Sequence, residues 1–531
     1  MSSAALTIDQ DAWRPQYNPW LIAVVVALAA FMEVLDTSIA NVALPYMAGS
    51  LGASNDQSTW VLTSYLVSNA IILPISGWLA GTLGRKRFFM ACLGIFTMSS
   101  LLCGLAPSLE VLLLFRVLQG AGGGGLQPMA QAILADTFPP QERGLAFALY
   151  GITAVMAPTI GPTLGGWITF NYSWRWIFFI NIPVGIVTWL LVRHFVEDPP
   201  YLSRLKAAGV KLDYIGIALL ALGIGALQVL LDKGQEDDWF GSHFITTLVV
   251  VAAVCLIALV IWECFQKAPI IDVRMFKSFN FASSSLMMFV LGIVLFSSLV
   301  LMPQFLQTLL GYTSQLAGLA LSAGGVVLLI EMPIIGQLTT KLQARYLIAF
   351  GWLALSIAMF YSTKRIDLQI SFQAAVLLRI VQVIGLGFLF VPITLVAYIG
   401  ISPEKNNAVA GIVNFMRNMG SSVGTSLVTT LIARRAQFHQ GRLVQYARPD
   451  NPNFQNSANG LAQYFAHSGL SRHEASVRAY ASIYEGLQAQ AASLAYIDTF
   501  MVLAVGAAIM FFLAFGLKKN DPGGGGRVAV D

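Results

Sequence analysis

Four polar side chains lie close together in the first apolar segment of the chain. Glu33, Thr37 and Asn41 follow one another at intervals of four residues, and Asp36 lies three residues after Glu33. On a helix this spacing places the four side chains on one face. A carboxyl group in an apolar medium binds a proton more readily than in water, and a second carboxyl group nearby adds to the effect. We predict that Asp36 and Glu33 bind protons reversibly; a polar contact that only joins helices is the alternative.

Arg116 is the cationic residue that best fits a role beside these carboxyl groups. It lies in a later apolar segment and is followed by Gln119. A charge at the centre of a lipid bilayer costs roughly 2.5–3.5 kcal/mol, so a buried arginine needs a partner such as a carboxylate or a backbone carbonyl of another helix. We predict that Arg116 tunes proton binding by Asp36, with a purely structural link between helices as the alternative.

Three further charged residues interrupt apolar segments, namely Glu331, Arg379 and Arg417. Glu331 is a candidate for binding a cationic group, or for a salt bridge to another helix. Arg379 and Arg417 also suit structural contacts between helices. A substrate site in such a protein would be a large apolar cavity with few polar anchors. The predicted cavity residues are Thr37, Asn41, Gln119, Glu331, Arg379 and Arg417.

The composition shows which solvent surrounds these residues. Hydrophobic residues make up 56% of the chain, charged residues 11%, and the mean hydropathy is +0.70. Soluble domains carry about 25% charged residues, so most of this chain must face lipid. Lipid-exposed backbone can satisfy its hydrogen bonds only in helices or closed barrels. The apolar runs are continuous rather than alternating, which favours helices.

The predicted fold class is an all-α integral membrane protein with fourteen spans. The predicted helices cover residues 20–44, 57–80, 87–106, 109–135, 144–170, 176–195, 213–232, 243–265, 280–305, 312–338, 346–362, 370–398, 408–431 and 495–517. An even number of spans places both termini on one side. The short loops on that side carry most of the lysines and arginines, which is typical of the cytoplasm. The net charge of +5 therefore reflects membrane orientation, and no nucleic-acid partner is predicted.

The chain divides into five predicted regions. These are a cytoplasmic segment 1–19, a six-helix bundle 20–195, two inserted helices 213–265, a second six-helix bundle 280–517 that includes a long periplasmic loop 432–494, and a flexible cytoplasmic tail 518–531. The five histidines fall at helix ends or in loops, so the spans lack the clustered ligands or nucleophile–base pairs that an embedded enzyme would need. No metal site, cofactor or enzymatic activity is predicted.

The fifth predicted helix has an unusual concentration of glycine and proline. Gly161 and Gly165 form a pair of small residues four positions apart, which permits close packing of two helices. Pro158 and Pro162 each remove a helix hydrogen bond and favour a kink. Glycines alone would explain static packing, so the two prolines favour a surface that moves against its neighbour.

Four motifs resemble those of the 14-helix drug:proton antiporters of the major facilitator superfamily. They are the segments 35–45, 77–87, 116–120 and 151–166. Besides Asp36, Arg116 and Gln119, they contain Gly77, Gly84, Arg85, Lys86, Arg87, Gly120, Pro158, Gly161, Pro162, Gly165 and Gly166. Their order and helix positions match the family. One departure is Gly81, where the second motif usually has an acidic residue.

The resemblance implies two six-helix bundles separated by two inserted helices, and no cofactor. Segments 174–185, 231–240 and 302–307 are also similar to inner-membrane pumps of tripartite multidrug efflux systems. The implied function is proton-coupled export of hydrophobic or amphipathic small molecules by alternating access, from a bacterial inner membrane. The implied partners are a periplasmic adaptor protein and a TolC-type outer-membrane channel. A stand-alone exporter of one metabolite or fatty acid is the alternative.

Overall fold

The computed structural model describes residues 15–139, 141–199, 213–266 and 269–519. The predictions for the two terminal segments, 1–19 and 518–531, therefore fall mostly outside the described residues. Within the described ranges the secondary structure is helical throughout, with short turns between helices. This confirms the predicted all-α class.

The first bundle contains six predicted spans built from eight helices. They are α1 (Pro19–Leu51), α2 (Asn55–Leu83), α3 (Arg85–Leu105), α4 (Leu109–Gly123), α5 (Leu126–Thr137), α6 (Arg143–Asn171), α7 (Trp176–Phe179) and α8 (Asn181–Phe195). The predicted helix 109–135 is interrupted at Gly124 and Gly125. A Cβ atom at Gly124 would lie 2.7 Å from the carbonyl oxygen of Asn69 in α2, so only glycine permits this crossing.

Two helices follow the first bundle, α9 (Tyr214–Lys233) and α10 (His243–Phe265). Helix α9 packs against α2 and α10. Helix α10 is apolar on nearly all sides, and Val254, Ile257 and Ile261 are exposed on it. A helix that is apolar all round and little covered by protein is suited to face lipid. The inserted pair therefore lies at the edge of the molecule, away from the polar contacts described below.

The second bundle is formed by the remaining helices. They are α11 (Phe279–Thr308), α12 (Ser314–Leu338), α13 (Ala344–Arg365), α14 (Phe372–Ala397), α15 (Asn406–Leu443), α16 (Pro452–His467) and α17 (Arg472–Ala514). Among the described residues, thirteen helical segments are long and apolar enough to cross a membrane. Helix α15 is not one of them, because its sequence is rich in asparagine, serine and arginine. It nevertheless packs against α2, α5, α11 and α17, so the protein buries its polar side chains.

The segment 432–494, predicted as a long loop, is mostly helical. Helices α15 and α17 contain 38 and 43 residues, although about 20 suffice to cross a bilayer. Both therefore extend beyond the membrane, and α16 packs against α17. Asp498 of α17 accepts hydrogen bonds from Arg435 and His439 of α15, each at 2.6 Å. The start of α17 carries a capping box of Ser471 and Glu474, a sequence signal that predicts a helix and was missed.

Helix α6 runs without interruption through both of its prolines. Pro162 has no N–H to donate to the carbonyl of Pro158, four residues earlier. The Ser38 hydroxyl of α1 donates to that carbonyl instead, at 3.2 Å. Gly161 and Gly165 face α1 as well, where Cβ atoms would lie 2.5 Å from Ser38 Cβ and 3.0 Å from Ile39 Cγ2. The glycine pair thus packs within the first bundle, and other residues of α6 face the second bundle.

The two bundles meet along two lines of contact. Helix α6 lies against α12, where a Cβ atom at Gly325 would be 2.9 Å from Thr159 Cγ2. Helix α2 lies against α15, where a Cβ atom at Gly77 would be 2.9 Å from Ala408 Cα. The second contact is near the start of α3, and we call this end of the molecule the Arg85 end. The bundles are therefore closed against each other at the Arg85 end.

Candidate proton and substrate sites

Asp36 is buried at the centre of the first bundle, with 2% of its surface exposed. Its carboxylate accepts hydrogen bonds from Arg116 Nη1 at 2.6 Å, Gln119 Nε2 at 2.9 Å and Asn181 Nδ2 at 2.7 Å. These donors come from two helices, α4 and α8. The predicted contact between Asp36 and Arg116 is thus present, and it is a charge-assisted hydrogen bond of the stronger kind.

Arg116 is held from several directions. Its Nε donates to the carbonyl of Val61 at 3.1 Å, and its Nη1 also donates to Gln119 Oε1 at 2.8 Å. The guanidinium lies 4.3 Å from the centre of the Tyr65 ring. Gly120 lets α4 approach the backbone of α2, because a Cβ atom there would be 3.1 Å from Ser68 Cβ. The helix motif 116–120 therefore both supplies the arginine and brings α2 close enough to hold it.

Glu33 binds a different set of residues from Asp36. It accepts hydrogen bonds from the Tyr65 hydroxyl at 2.9 Å, from Asn69 Nδ2 at 3.0 Å and from Gln127 Nε2. The predicted common face therefore divides into two sites, one facing α4 and α8 and the other facing α2 and α5. Each carboxylate therefore has its own set of buried donors.

The Glu33 site continues into the second bundle. Gln127 Oε1 accepts a hydrogen bond from Arg417 Nη2 of α15. The Tyr150 hydroxyl lies 3.3 Å from Gln127 Oε1 and 3.0 Å from Asn414 Oδ1. We call the chain formed by Glu33, Gln127, Tyr150, Asn414 and Arg417 the cross-bundle chain. It joins a carboxylate of one bundle to a guanidinium of the other through buried hydrogen bonds.

A second polar contact joins the bundles at the Arg85 end. Arg85 forms an ion pair with Asp136 of α5, at 2.5 Å, and Asn406 of α15 donates to the same carboxylate at 2.6 Å. Lys86 is placed by its backbone N–H, which donates to Asp198 at 2.8 Å, and Arg87 is exposed. Gly84 has a φ of 90°, which only glycine adopts without strain. Of the three predicted basic residues, Arg85 alone is buried.

Gly81 borders open space at this end. A Cβ atom there would meet nothing within 4 Å, and a cavity of about 130 Å³ lies between Gly81, Trp78 and Asn407. The first turn of α15 beside it has no side-chain cap. A larger side chain at position 81 would fit this space, which Asp272 and Glu404 also line.

Two predicted cavity residues of α1 lie away from the Asp36 carboxylate. The Thr37 hydroxyl donates to the Glu33 carbonyl of its own helix at 3.4 Å, and Asn41 is exposed. Gln119 belongs to the Asp36 site described above. The spacing of four residues places these side chains on one face of α1, but the neighbouring helices cover that face only in part.

Two ionisable residues of the second bundle form no ion pair with the residues that the structure describes. Arg379 of α14 is 1% exposed and donates to the Ser298 hydroxyl of α11 at 2.9 Å. Glu331 of α12 is half-buried, and both of its carboxyl oxygens are buried without a hydrogen-bond partner in the structure. It lies against Gly387 of α14, where any side chain would collide with the carboxyl group.

Several residues of these sites were missed in the sequence. Asn181, Tyr65, Asn69 and Gln127 are ordinary polar residues of apolar helices, and their spacing alone does not indicate a partner. One available signal was overlooked: the pattern of Arg116 and Gln119 recurs as Arg379 and Gln382. This repeat predicts related positions in the two bundles.

The comparisons agree with this architecture. The family model of the Major Facilitator Superfamily matches residues 26–425. The proton:xylose symporter XylE has a similar fold, with a TM-score of 0.61 at 14% identity over 94% of this chain and 96% of that chain. The chain belongs to the Major Facilitator Superfamily and is a multi-pass membrane transporter.

Two similar proteins indicate which members of the superfamily this chain resembles. The chain is 40% identical to the multidrug export protein EmrB of Haemophilus influenzae, over 84% of this chain and 86% of that protein. It is also 40% identical to the fatty acid resistance protein FarB of Neisseria gonorrhoeae, over 82% of this chain and 85% of that protein. The chain is therefore similar to drug-efflux members of the superfamily.

Proposed function

We propose that this protein exports hydrophobic or amphipathic small molecules from the cytoplasm in exchange for protons. The observation that carries the proposal is the Asp36 carboxylate, buried and held by Arg116, Gln119 and Asn181. A carboxylate inside a membrane is costly and marks a functional site unless it is needed for packing. The similarity to EmrB supports export of drug-like molecules. We place the Arg85 end in the cytoplasm and the protein in a bacterial inner membrane.

Proton binding at Asp36 would change how strongly α1 is held. Protonation removes the negative charge, and a hydrogen bond between Arg116 and a neutral carboxyl group is weaker than one to a carboxylate. Arg116 then gains more from its other acceptors, such as the Val61 carbonyl of α2. The proton gradient is large enough to drive this change. One charge crossing about 100 mV supplies about 2.3 kcal/mol, which corresponds to a concentration ratio of roughly 50.

Glu33 would couple proton binding to the opening of the Arg85 end. The cross-bundle chain ties Glu33 to Arg417 through Gln127, and this tie is strongest when Glu33 is charged. Protonation of Glu33 weakens it and favours separation of the bundles at the cytoplasmic end. A proton entering from the periplasm would thus promote the inward-facing state, as alternating access requires.

Substrate selection would depend on the second bundle. Glu331 presents a carboxyl group without a partner in a site kept open by Gly387. A cationic group of a substrate would supply the missing partner. The other residues proposed to bind substrate or to line its path are Thr37, Asn41, Gln119, Arg379 and Arg417.

A transport assay tests the central proposal. We expect Asp36→Asn to abolish proton-driven uptake of a cationic dye into everted vesicles, while the variant is produced and remains folded. Asp237→Asn removes an exposed carboxylate between α9 and α10 and serves as the control, with transport expected as in the wild type. Full proton-driven transport by Asp36→Asn would exclude Asp36 from coupling.

The helices beyond the membrane are the proposed docking site for a periplasmic adaptor, which would connect the pump to a TolC-type outer-membrane channel. Helix α16 and the adjoining parts of α15 and α17 form this extension. Their length supports the proposal, since a helical platform offers a preformed surface to a partner. The relatives' names do not include an adaptor.

The second candidate function is stand-alone export of a fatty acid or another metabolite, and the similarity to FarB favours it. Replacing α16 with a short glycine–serine linker separates the two candidates. A pump that needs an adaptor should keep transport in vesicles and lose protection of the whole cell. A stand-alone exporter should keep both, and the intact protein should capture no adaptor.

A further inference from the structure

The two bundles each bury an arginine at the same place in their fourth span. Arg116 lies seven residues after Leu109, the first residue of α4, and Arg379 lies seven residues after Phe372, the first residue of α14. Each arginine is followed three residues later by a glutamine. Both are buried, with 0% and 1% of their surface exposed. The positions are therefore related by the internal repeat of the fold.

The partners of the two arginines differ in charge. Arg116 Nη1 lies 2.6 Å from the Asp36 carboxylate of α1, the first span of its bundle. Arg379 Nη1 lies 2.9 Å from the Ser298 hydroxyl of α11, the first span of the other bundle. Ser298 thus stands where the first bundle has Asp36. Within the described residues, no ion pair is formed by Arg379, and its Nε has no hydrogen-bond partner.

A buried guanidinium without an opposite charge is costly, because the attraction that normally offsets its desolvation is missing. Other contacts of Arg379 do not supply it. Gln382 Oε1 accepts a hydrogen bond from Arg379 Nη1 at 3.5 Å but is neutral, and Gln382 Nε2 donates to the Ser362 hydroxyl. Arg379 therefore has an N–H group that can donate a further hydrogen bond and a positive charge without a counter-charge. An anion would supply both the acceptor and the opposite charge.

The position of Arg379 gives an anion a route of approach. Gly324 of α12 lies against the guanidinium, and a Cβ atom there would be 3.3 Å from Arg379 Nε. The next residue, Gly325, faces Thr159 of α6 across the contact between the bundles. Arg379 is thus separated from that contact only by the glycine-containing backbone of α12. In the proposed alternating access α6 would move away from α12 and expose this glycine-containing face, beside which an anion could approach Arg379.

We propose that Arg379 binds the carboxylate of an amphipathic weak acid beside Ser298, whose own hydroxyl proton is donated to the Leu295 carbonyl. This inference rests on the proposed export function, because it names one class of molecule carried. The second bundle lacks the internal acid that neutralises Arg116 in the first, and the bound carboxylate takes its place. Arginine suits this role because its planar group can bind a carboxylate through two parallel hydrogen bonds.

Binding to the purified full-length protein tests the proposal without requiring transport. Decanoate and decanamide have the same chain and differ in charge, so we expect the wild type to bind decanoate roughly tenfold more tightly, as for a hydrogen bond to a charged group. Arg379→Gln should remove this preference. Ser298→Asp should also remove it, because the new carboxylate occupies the arginine, whereas Ser298→Asn adds a similar volume without charge and should retain the preference.

The opposite results would overturn the proposal. Equal affinity of the wild type for decanoate and decanamide would do so, even if every variant failed to fold. An unchanged preference in both Arg379→Gln and Ser298→Asp would do so as well. Loss of the wild-type preference on replacing gluconate with chloride would show that an inorganic anion fills the site. Proton-driven dye transport by the wild type tests the antiport function separately, since a binding preference does not depend on a proton gradient.

Discussion

The fourth span of each bundle buries one arginine, and the two arginines differ in what neutralises them. In the first bundle Arg116 is paired with Asp36 and surrounded by further acceptors. In the second bundle Arg379 has a serine in place of the aspartate. Each arginine leaves one buried nitrogen without a hydrogen-bond partner among the described residues, so the two sites differ in the acid that only the first bundle supplies.

This difference indicates a division of work between the bundles. In the proposed mechanism the Asp36–Arg116 pair would respond to protons, because a proton on Asp36 would weaken an existing contact. The Arg379 site would respond to ligands, because a bound anion would supply the negative charge that the second bundle lacks. Glu331 fits the same pattern, since its carboxyl oxygens too have no hydrogen-bond partner among the described residues. Proton coupling would therefore belong mainly to the first bundle and substrate selection to the second.

The strongest test removes Arg116. Arg116→Gln leaves the Asp36 carboxylate buried without its opposite charge, and breaking such a pair destabilises a protein by about 3–5 kcal/mol. We expect a large fall in thermal stability in detergent and loss of transport. The double variant Asp36→Asn/Arg116→Gln should recover much of the stability but none of the transport. Failure of the double variant to recover stability would show that Arg116 acts through packing rather than charge.

The matched substitution in the second bundle should have the opposite effect on stability. Arg379→Gln removes a charge that has no internal partner, so we expect stability to stay constant or rise by about 1 kcal/mol. Thermal unfolding of the two glutamine variants side by side measures the contrast. Similar destabilisation by both substitutions would remove the distinction between the bundles.

An effect of intermediate size is expected when the cross-bundle chain is weakened. Glu33→Gln keeps a hydrogen-bond acceptor for Tyr65 and Asn69 but loses the charge that faces Arg417 across Gln127. We expect the separated state of the Arg85 end to gain roughly tenfold in population, as for loss of one hydrogen bond to a charged group. Spin labels at the exposed positions 87 and 404 measure the distance between the two bundles at the Arg85 end. A distance distribution in Glu33→Gln that matches the wild type would argue against Glu33 as the coupling group.

The smallest effect is expected at Glu331. Glu331→Gln should weaken binding of a monovalent cationic dye roughly threefold to fivefold, the size of a partly solvated ion pair. Binding of decanoate should not change, because Arg379 is the proposed anchor for acids. Equal weakening of both ligands would indicate that Glu331 supports the fold of the cavity rather than selecting charge.

The sequence predicted a helix 1 carboxylate or a backbone carbonyl as the partner of Arg116, because a charge inside a membrane needs a partner. The structure shows one of each, Asp36 and the Val61 carbonyl. The sequence did not predict that Glu33 and Asp36 serve separate sites. Three residues turn a helix by about 300°, which leaves about 60° between the two side chains, enough for them to face different neighbours. Which neighbours these are depends on packing between distant segments, and no local pattern contains that information.

Helix α15 also shows that contacts between distant segments cannot be predicted from a local sequence pattern. A membrane span was predicted at 408–431, although the composition of α15 is too polar to indicate a span by itself. Several of its polar residues contact the other bundle, namely Asn406, Asn414 and Arg417. The helices within 432–494 were missed because that segment was interpreted from its polarity, while the capping residues Ser471 and Glu474 were overlooked.

The length of α15 has a mechanical consequence. One unbroken helix runs from Arg417, in the contact between the bundles, to Leu443 beyond the membrane. At 1.5 Å per residue this distance is about 40 Å, so a tilt of about 10° at Arg417 moves the far end by about 7 Å. A protein seated on that far end would be displaced in every cycle. The helix would act as a lever that reports the state of the cytoplasmic opening to the opposite side of the membrane.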